Sequence, residues 1–292
     1  MQRTFRLTTL PCHSCDIIGC SNGYLAIAHG CRLGILNPIT GKEIDLLPLP
    51  NIRYAGKLVF GPNPIRPDDY TVVAICDVGQ VTKVAYVTNG DMEWTIANVT
   101  LDGAKLVDLV YNAECGVVYC LDELGNVQIL HIPRVGRMQQ RTVEPLVADR
   151  VVGPCFDAPS AFTRPYNAVG KKMSFKRPFI CEGALYQVWQ DIGGDIFTMS
   201  LDEILVLRHY PERWPCWDAV KDLGGYSVFI SENNTAVVQA EASTGIRPNC
   251  VYWIEGFLCT PWVFDMSKGT STHCDLPPIS VGFACSWYSN SD

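Results

Sequence analysis

Residues able to do chemistry are few in this sequence and loosely grouped. The densest set is Cys12-His13-Ser14-Cys15, with Cys20, His29 and Cys31 downstream. Zinc favours a Cys-x-x-Cys pair joined by a second pair of cysteines or histidines. Here the second pair has no usual spacing, and His29 and Cys31 flank a strand-like run, so a structural role is preferred and no metal is expected. The histidines His13, His29, His131, His209 and His273 keep no catalytic spacing. No Gly-x-Ser-x-Gly elbow and no glycine-rich phosphate loop occurs. Catalytic and cofactor-binding residues are therefore not expected. The runner-up reading is a propeller enzyme or small-ligand binder using a central channel, with Asp77, Asp108, Asp122 and Asp265 as the carboxylates that would converge.

Two groups suit partner binding better. Lys171, Lys172, Lys176 and Arg177 form a basic cluster that suits a nuclear address or an acidic partner, beside the plainer reading of a solvated loop. Trp214-Pro215-Cys216-Trp217 and Tyr186-Gln187-Val188-Trp189 bring large aromatics. In an exposed loop Trp214 and Trp217 would anchor a protein partner. Both groups abut strands, so burial is the expectation.

The elements that position these residues read as strands. Gly34–Pro50 runs as strand, Asn37-Pro38-Ile39-Thr40-Gly41 turn, strand. Pro38 fixes its own φ and Gly41 is free to take a positive one. The pattern recurs at Asn89-Gly90, where a two-residue turn with two positive φ values is expected. It recurs again at Asp122–Gly125 and around Asp265 and Gly269. Glycines 41, 90, 125 and 269 are separated by 49, 35 and 144 residues. A propeller blade of four strands takes about 40–50 residues. Further strands are expected at 24–28, 58–60, 70–75, 105–111, 184–190, 204–210, 227–230 and 250–254. No long helical period is present. The segment 133–180 is rich in proline and basic: residues 134–177 hold nine basic and three acidic side chains, +6, which leaves −13 for the rest. It is expected to be an irregular connection or an eroded blade.

The net charge of −7 over 292 residues argues against nucleic acid as a partner. No apolar run reaches the roughly 18–20 residues of a membrane helix, and no secretory leader is expected. The fourteen cysteines are scattered and many sit in apolar runs, as free thiols would in a reducing interior. The Asn98-Val99-Thr100 and Asn233-Asn234-Thr235 sequons are read as chance. The expected compartment is intracellular, cytoplasmic or nuclear.

The ordered motifs carry a resemblance. Gly23-Tyr24-Leu25 and Asn37-Pro38-Ile39-Thr40-Gly41 come first, followed by Leu47-Pro48. Asp108-Leu109-Val110-Tyr111, Gly116–Tyr119 and Gly125-Asn126-Val127 lie in the middle. Leu223-Gly224-Gly225-Tyr226 with Phe229, and Pro248-Asn249-Cys250-Val251-Tyr252, come late. Together they resemble the plant F-box-associated KIB-type β-propeller family, a family of unknown function, over residues 19–270. The resemblance implies an all-β chain, a single domain over 1–292 folded as one β-propeller with blades of four antiparallel strands; at one blade per roughly 45–50 residues, six blades are expected. It marks Asn37, Pro38, Gly41, Asp108, Gly125, Leu223, Gly224, Phe229, Asn249 and Tyr252 as structural signature residues. In relatives an F-box docks onto ubiquitin-ligase components while the propeller selects the protein to be modified. No F-box is expected ahead of this propeller, because strand-like text begins by residue 17, and the family's Pro-x-Trp-Phe ending is absent. The resulting expectation is a non-catalytic interaction module with an unknown protein partner, no cofactor, no nucleic acid and no membrane.

Overall fold

A computed structural model describes residues 16–21, 23–30, 32–38, 40–49, 55–62, 70–78, 81–97, 105–131, 149–151, 173–191, 204–231, 234–241, 245–255 and 260–274. Among these every regular element is a strand. The described residues fall into two compact units, one holding β1–β12 and the other β13–β21 with the Glu123–Asn126 turn.

The first unit contains three antiparallel meanders of four strands. They are β1 (Asp16–Ser21), β2 (Tyr24–His29), β3 (Arg32–Leu36) and β4 (Glu43–Asp45); then β5 (Ala55–Pro62), β6 (Tyr70–Val78), β7 (Val81–Thr88) and β8 (Thr95–Ala97); then β9 (Leu106–Asn112), β10 (Val117–Asp122), β11 (Val127–His131) and β12 (Asp149–Val151). The β5–β8 sheet is covered on both faces. Val72 and Ala74 join one core cluster with Ile18, Ile35 and Phe60. Val73 and Ile75 point the other way, into a cluster with Leu109, Val118 and Cys120. Side chains alternate faces along a strand, so a sheet buried on both sides needs continuous apolar text, and TVVAIC supplies it. Close packing uses glycine: a Cβ on Gly19 would sit 1.9 Å from the Leu58 carbonyl oxygen, and one on Gly61 would meet the Tyr111 ring at 2.7 Å.

The second unit contains the meander β13 (Phe175–Cys181), β14 (Ala184–Gln190), β15 (Ile204–His209) and β16 (Trp217–Ala219). It also contains a sheet of β17 (Tyr226–Ile230), β18 (Thr235–Gln239), β19 (Cys250–Glu255), β20 (Thr260–Asp265) and β21 (Thr270–His273), ordered β18-β17-β19-β20-β21. Their shared core holds Phe179, Val188, Val206, Val228, Val251 and Trp253.

Several expectations need correction. The last sheet has five strands and one parallel pair, Val228–Ile230 against Val251–Trp253. The β17–β18 hairpin brings Gln239 back beside Tyr226, the start of β17. The Asn249 amide donates to the Tyr226 carbonyl at 2.8 Å, so β19 begins at that same end and runs parallel to β17. At Asn89-Gly90 only Gly90 has positive φ, 90°. The connection from β7 to β8 spans residues 89–94 rather than two residues. Asp91 accepts from the Thr88 amide at 2.8 Å, and the buried Trp94 indole donates to the Leu47 carbonyl at 2.8 Å, which draws the longer loop inward. Within 133–180, β12 and β13 are regular strands; the remainder lies outside the described residues, as does any sheet beyond the five seen.

Candidate interaction surface

The surface grows from the sheet β13–β16. The β13–β14 hairpin closes on Glu182 and Gly183, both left-handed at φ 48° and 72°, which a two-residue turn of this kind requires. Register then lines up Phe179, Tyr186, Arg208 and Asp218, one from each strand, in a row across the sheet. Phe179 and Tyr186 stack with centroids 5.1 Å apart. The Arg208 guanidinium lies 5.6 Å from the Tyr186 centroid and 5.1 Å from that of Tyr210. Arg213 covers Tyr210 at 3.8 Å and pairs with Asp218 at 3.0 Å.

The Tyr210–Cys216 loop is closed by its own backbone. The Tyr210 amide donates to the Cys216 carbonyl at 2.7 Å and the Arg213 amide to the Tyr210 carbonyl at 3.3 Å. Pro211 and Pro215 cannot donate, and the Trp214–Pro215 bond is cis. Trp214 is 54% exposed on this loop, whereas Trp217, on β16, is 1% exposed and packs on His209 with centroids 5.0 Å apart. Burial lowers the His209 pKa to about 4, so the ring is neutral near pH 7. Burial raises the Cys181 thiol to about 11, which keeps it protonated.

The other predicted residues scatter. Lys176 is buried, 4% exposed, because β13 turns it inward. Its ammonium donates to the Glu123 carbonyl at 2.9 Å and to that of Met173, beneath the Trp189 ring at 5.2 Å. It is a packing cation, not the surface residue expected. Arg177 is half-buried over Phe175 at 4.3 Å. Lys171 and Lys172 lie outside the described residues. Trp217 likewise leaves the expected partner surface, and Tyr186 and Trp189 are buried.

The signature residues hold backbone. The Asn37 amide donates to the Lys42 carbonyl and its own carbonyl accepts from Gly41, both at 2.8 Å; Gly41 has φ 70° and Pro38 is buried. Asp108 pairs with Lys57 at 2.8 Å, the two side chains 2% and 8% exposed. The Gly125 carbonyl accepts from the Gln187 amide nitrogen at 3.1 Å. Asn249, left-handed at φ 57°, accepts from the Leu223 amide at 2.7 Å. Gly224 and Gly225 have φ 66° and 89°, and a Cβ on either meets nothing nearer than 3.7 Å, so they serve the turn and not a close approach of neighbouring chain. Phe229 and Tyr252 stack at 4.5 Å, and the Tyr252 hydroxyl accepts from the Arg247 amide at 2.9 Å.

The four carboxylates of the channel reading have local settings. Asp108 is in its ion pair and Asp122 is 1% exposed. Asp77 is exposed and accepts from Thr82 at 3.2 Å. Asp265 accepts from the Ser267 hydroxyl at 2.6 Å and from the Lys268 ammonium at 2.9 Å. The Ser267 bond first, then Lys268, hold its carboxyl well below the usual range. Among the described residues no three His, Cys, Asp or Glu side chains could hold a metal ion; Cys12, His13, Cys15 and Cys31 lie outside them. Arg208, Tyr210 and Arg213 were missed by sequence reasoning. Their signal is a register across four strands, which a linear pattern does not display.

The chain matches a known sequence profile. That of the KIB1-4 beta-propeller family matches residues 1–280. The chain belongs to this family, and its fold is an all-β propeller. No curated protein matches it. Among solved structures, it is similar to the β-propeller domain of Cps50 (Swd1) from Myceliophteria thermophila, at 11% identity over 90% of this chain and 84% of that one, TM-score 0.38. It is also similar to the WD40 domain of SCAP from fission yeast, at 12% identity over 82% of this chain and 49% of that one, TM-score 0.37. An exo-beta-1,3-galactanase from Phanerochaete chrysosporium aligns at 10% identity over 90% of this chain and 66% of that one, TM-score 0.43.

Proposed function

We propose that this KIB-type propeller is a non-catalytic interaction module that binds a protein partner through the surface around Trp214. The observation that carries the reading is the 54% exposure of that indole on a loop closed by two backbone hydrogen bonds and the Arg213–Asp218 pair. An exposed Trp among Tyr and Arg has the composition of binding hot spots. Holding the loop in one shape before binding lowers the entropy lost on association. The finer reading follows the family resemblance: the chain acts as a substrate-selecting receptor of the kind that serves ubiquitin ligases. A reducing interior, cytoplasm or nucleus, suits the free thiols of the described cysteines.

The test is affinity capture of the tagged chain from plant cells, with mass spectrometry, beside Trp214→Ala. A partner retained by the parent chain and lost by the variant is expected. Skp1-type adaptor and cullin in the same complex would support the receptor role. A partner without ligase subunits leaves a free-standing binding module. No difference between parent and variant overturns the reading.

A further inference from the structure

Arg213 already has its carboxylate, Asp218, at 3.0 Å. Among the described residues Arg208 does not. Its guanidinium lies against the faces of Tyr186 and Tyr210 and within Coulombic reach of the Cys181 thiol. Its cross-strand neighbour is Asp218, which is taken by Arg213. Its Nε–H is covered and has no acceptor. A guanidinium carries five donors in a planar fork that matches a carboxylate with two parallel hydrogen bonds. Two tyrosines hold this fork in place, and the exposed Trp214 follows on the adjoining loop.

Resting on the interaction reading above, we propose that this surface recognises an acidic peptide segment, setting a carboxylate on Arg208 and an apolar side chain on Trp214. The charge balance favours a carboxylate over a phosphate. Phosphate readers gather several arginines, whereas here one guanidinium is unmatched. Exposed Glu212, half-exposed Asp218 and exposed Asp222 belong to the same stretch of chain and oppose a doubly charged group.

The probe is a fluorescein-labelled peptide, Gly-Asp-Phe-Asp-Phe-Gly, titrated with the full chain by anisotropy, beside the same peptide with both Asp replaced by Asn. The acidic peptide binds at least about tenfold more tightly, as a charge-assisted pair implies, and the margin shrinks at high salt. Arg208→Gln removes the margin, Arg208→Lys keeps part of it, and Trp214→Ala weakens both peptides. Thermal unfolding of the variants confirms that they fold; Arg208→Lys keeps a cation on the tyrosines. Equal binding of the two peptides, no binding, an Arg208→Gln variant that keeps the margin, or preference for a phosphoserine version overturns the proposal. In the cellular capture, a partner lost by Trp214→Ala but kept by Arg208→Gln sinks the acidic-peptide proposal alone. A partner kept by both variants sinks the interaction reading with it.

Discussion

Asp108 and Asp218 hold their cations at nearly the same distance, 2.8 Å from Lys57 and 3.0 Å from Arg213. Their side chains are 2% and 51% exposed. The first pair joins β5 to β9 inside one unit, where two desolvated ions need each other. The second sits in water and contributes mainly to the shape of a loop. Equal geometry therefore gives unequal consequences, and burial decides which pair the fold depends on and which only shapes a loop.

The comparison breaks most visibly at Lys57. Lys57→Met leaves the buried Asp108 carboxylate without its cation, with the Leu109 amide still donating to it at 2.8 Å, and is expected to cost about 3–5 kcal/mol in urea unfolding, with most of the loss recovered in Lys57→Met/Asp108→Leu. A loss below about 1 kcal/mol would mean that the pair is not desolvated in solution. Trp217→Ala should cost about 3–5 kcal/mol through the cavity it leaves. Trp214→Ala, three positions away, should stay within about 0.5 kcal/mol in the same assay.

His209 beside Trp217 sharpens the contrast through pH. Its folded pKa of about 4 lies below the ordinary value near 6.5. Between those values the unfolded chain binds the proton and the folded one does not, so stability falls as pH falls across that window. The loss is on the order of 2 kcal/mol after allowing for partial exposure. His209→Gln should flatten this part of the profile, and a profile equally steep in the variant would assign the proton elsewhere. Gly41→Ala places a side chain at φ 70° with open space around it, so strain alone should cost about 1 kcal/mol. Asp218→Asn should cost at most about 1 kcal/mol, and less in high salt.

Most of the described strands and turns were legible in the text, β12, β13, β16 and β18 being the exceptions. Ala184–Gln190 is a strand with the bounds expected, because its apolar run is bracketed by turn residues and its length suits a buried strand. The glycine-closed turns at Gly41, Gly125 and Gly269 all carry positive φ, a demand that residue type announces directly. Lys176, one member of the basic cluster, was misread for a definite reason. Charge suggests exposure, but Lys176 pairs across the sheet with Trp189 and finds carbonyl acceptors inside. Only register reveals such a partner. Trp214 and Trp217 look equivalent in sequence, and one backbone closure, Tyr210 to Cys216, separates them.

Sequence by itself determined the family, the all-β class, the turn positions and the expectation of free thiols. These rest on local demands: proline fixes φ, glycine accepts positive φ, and apolar runs must leave water. Tertiary structure decided the parallel pairing of β17 with β19, the inward turn of Lys176, the pairing of Lys57 with Asp108 and the unmatched guanidinium of Arg208. Each depends on which strands lie side by side and in what register, and a chain fixes that only when its sheets pack.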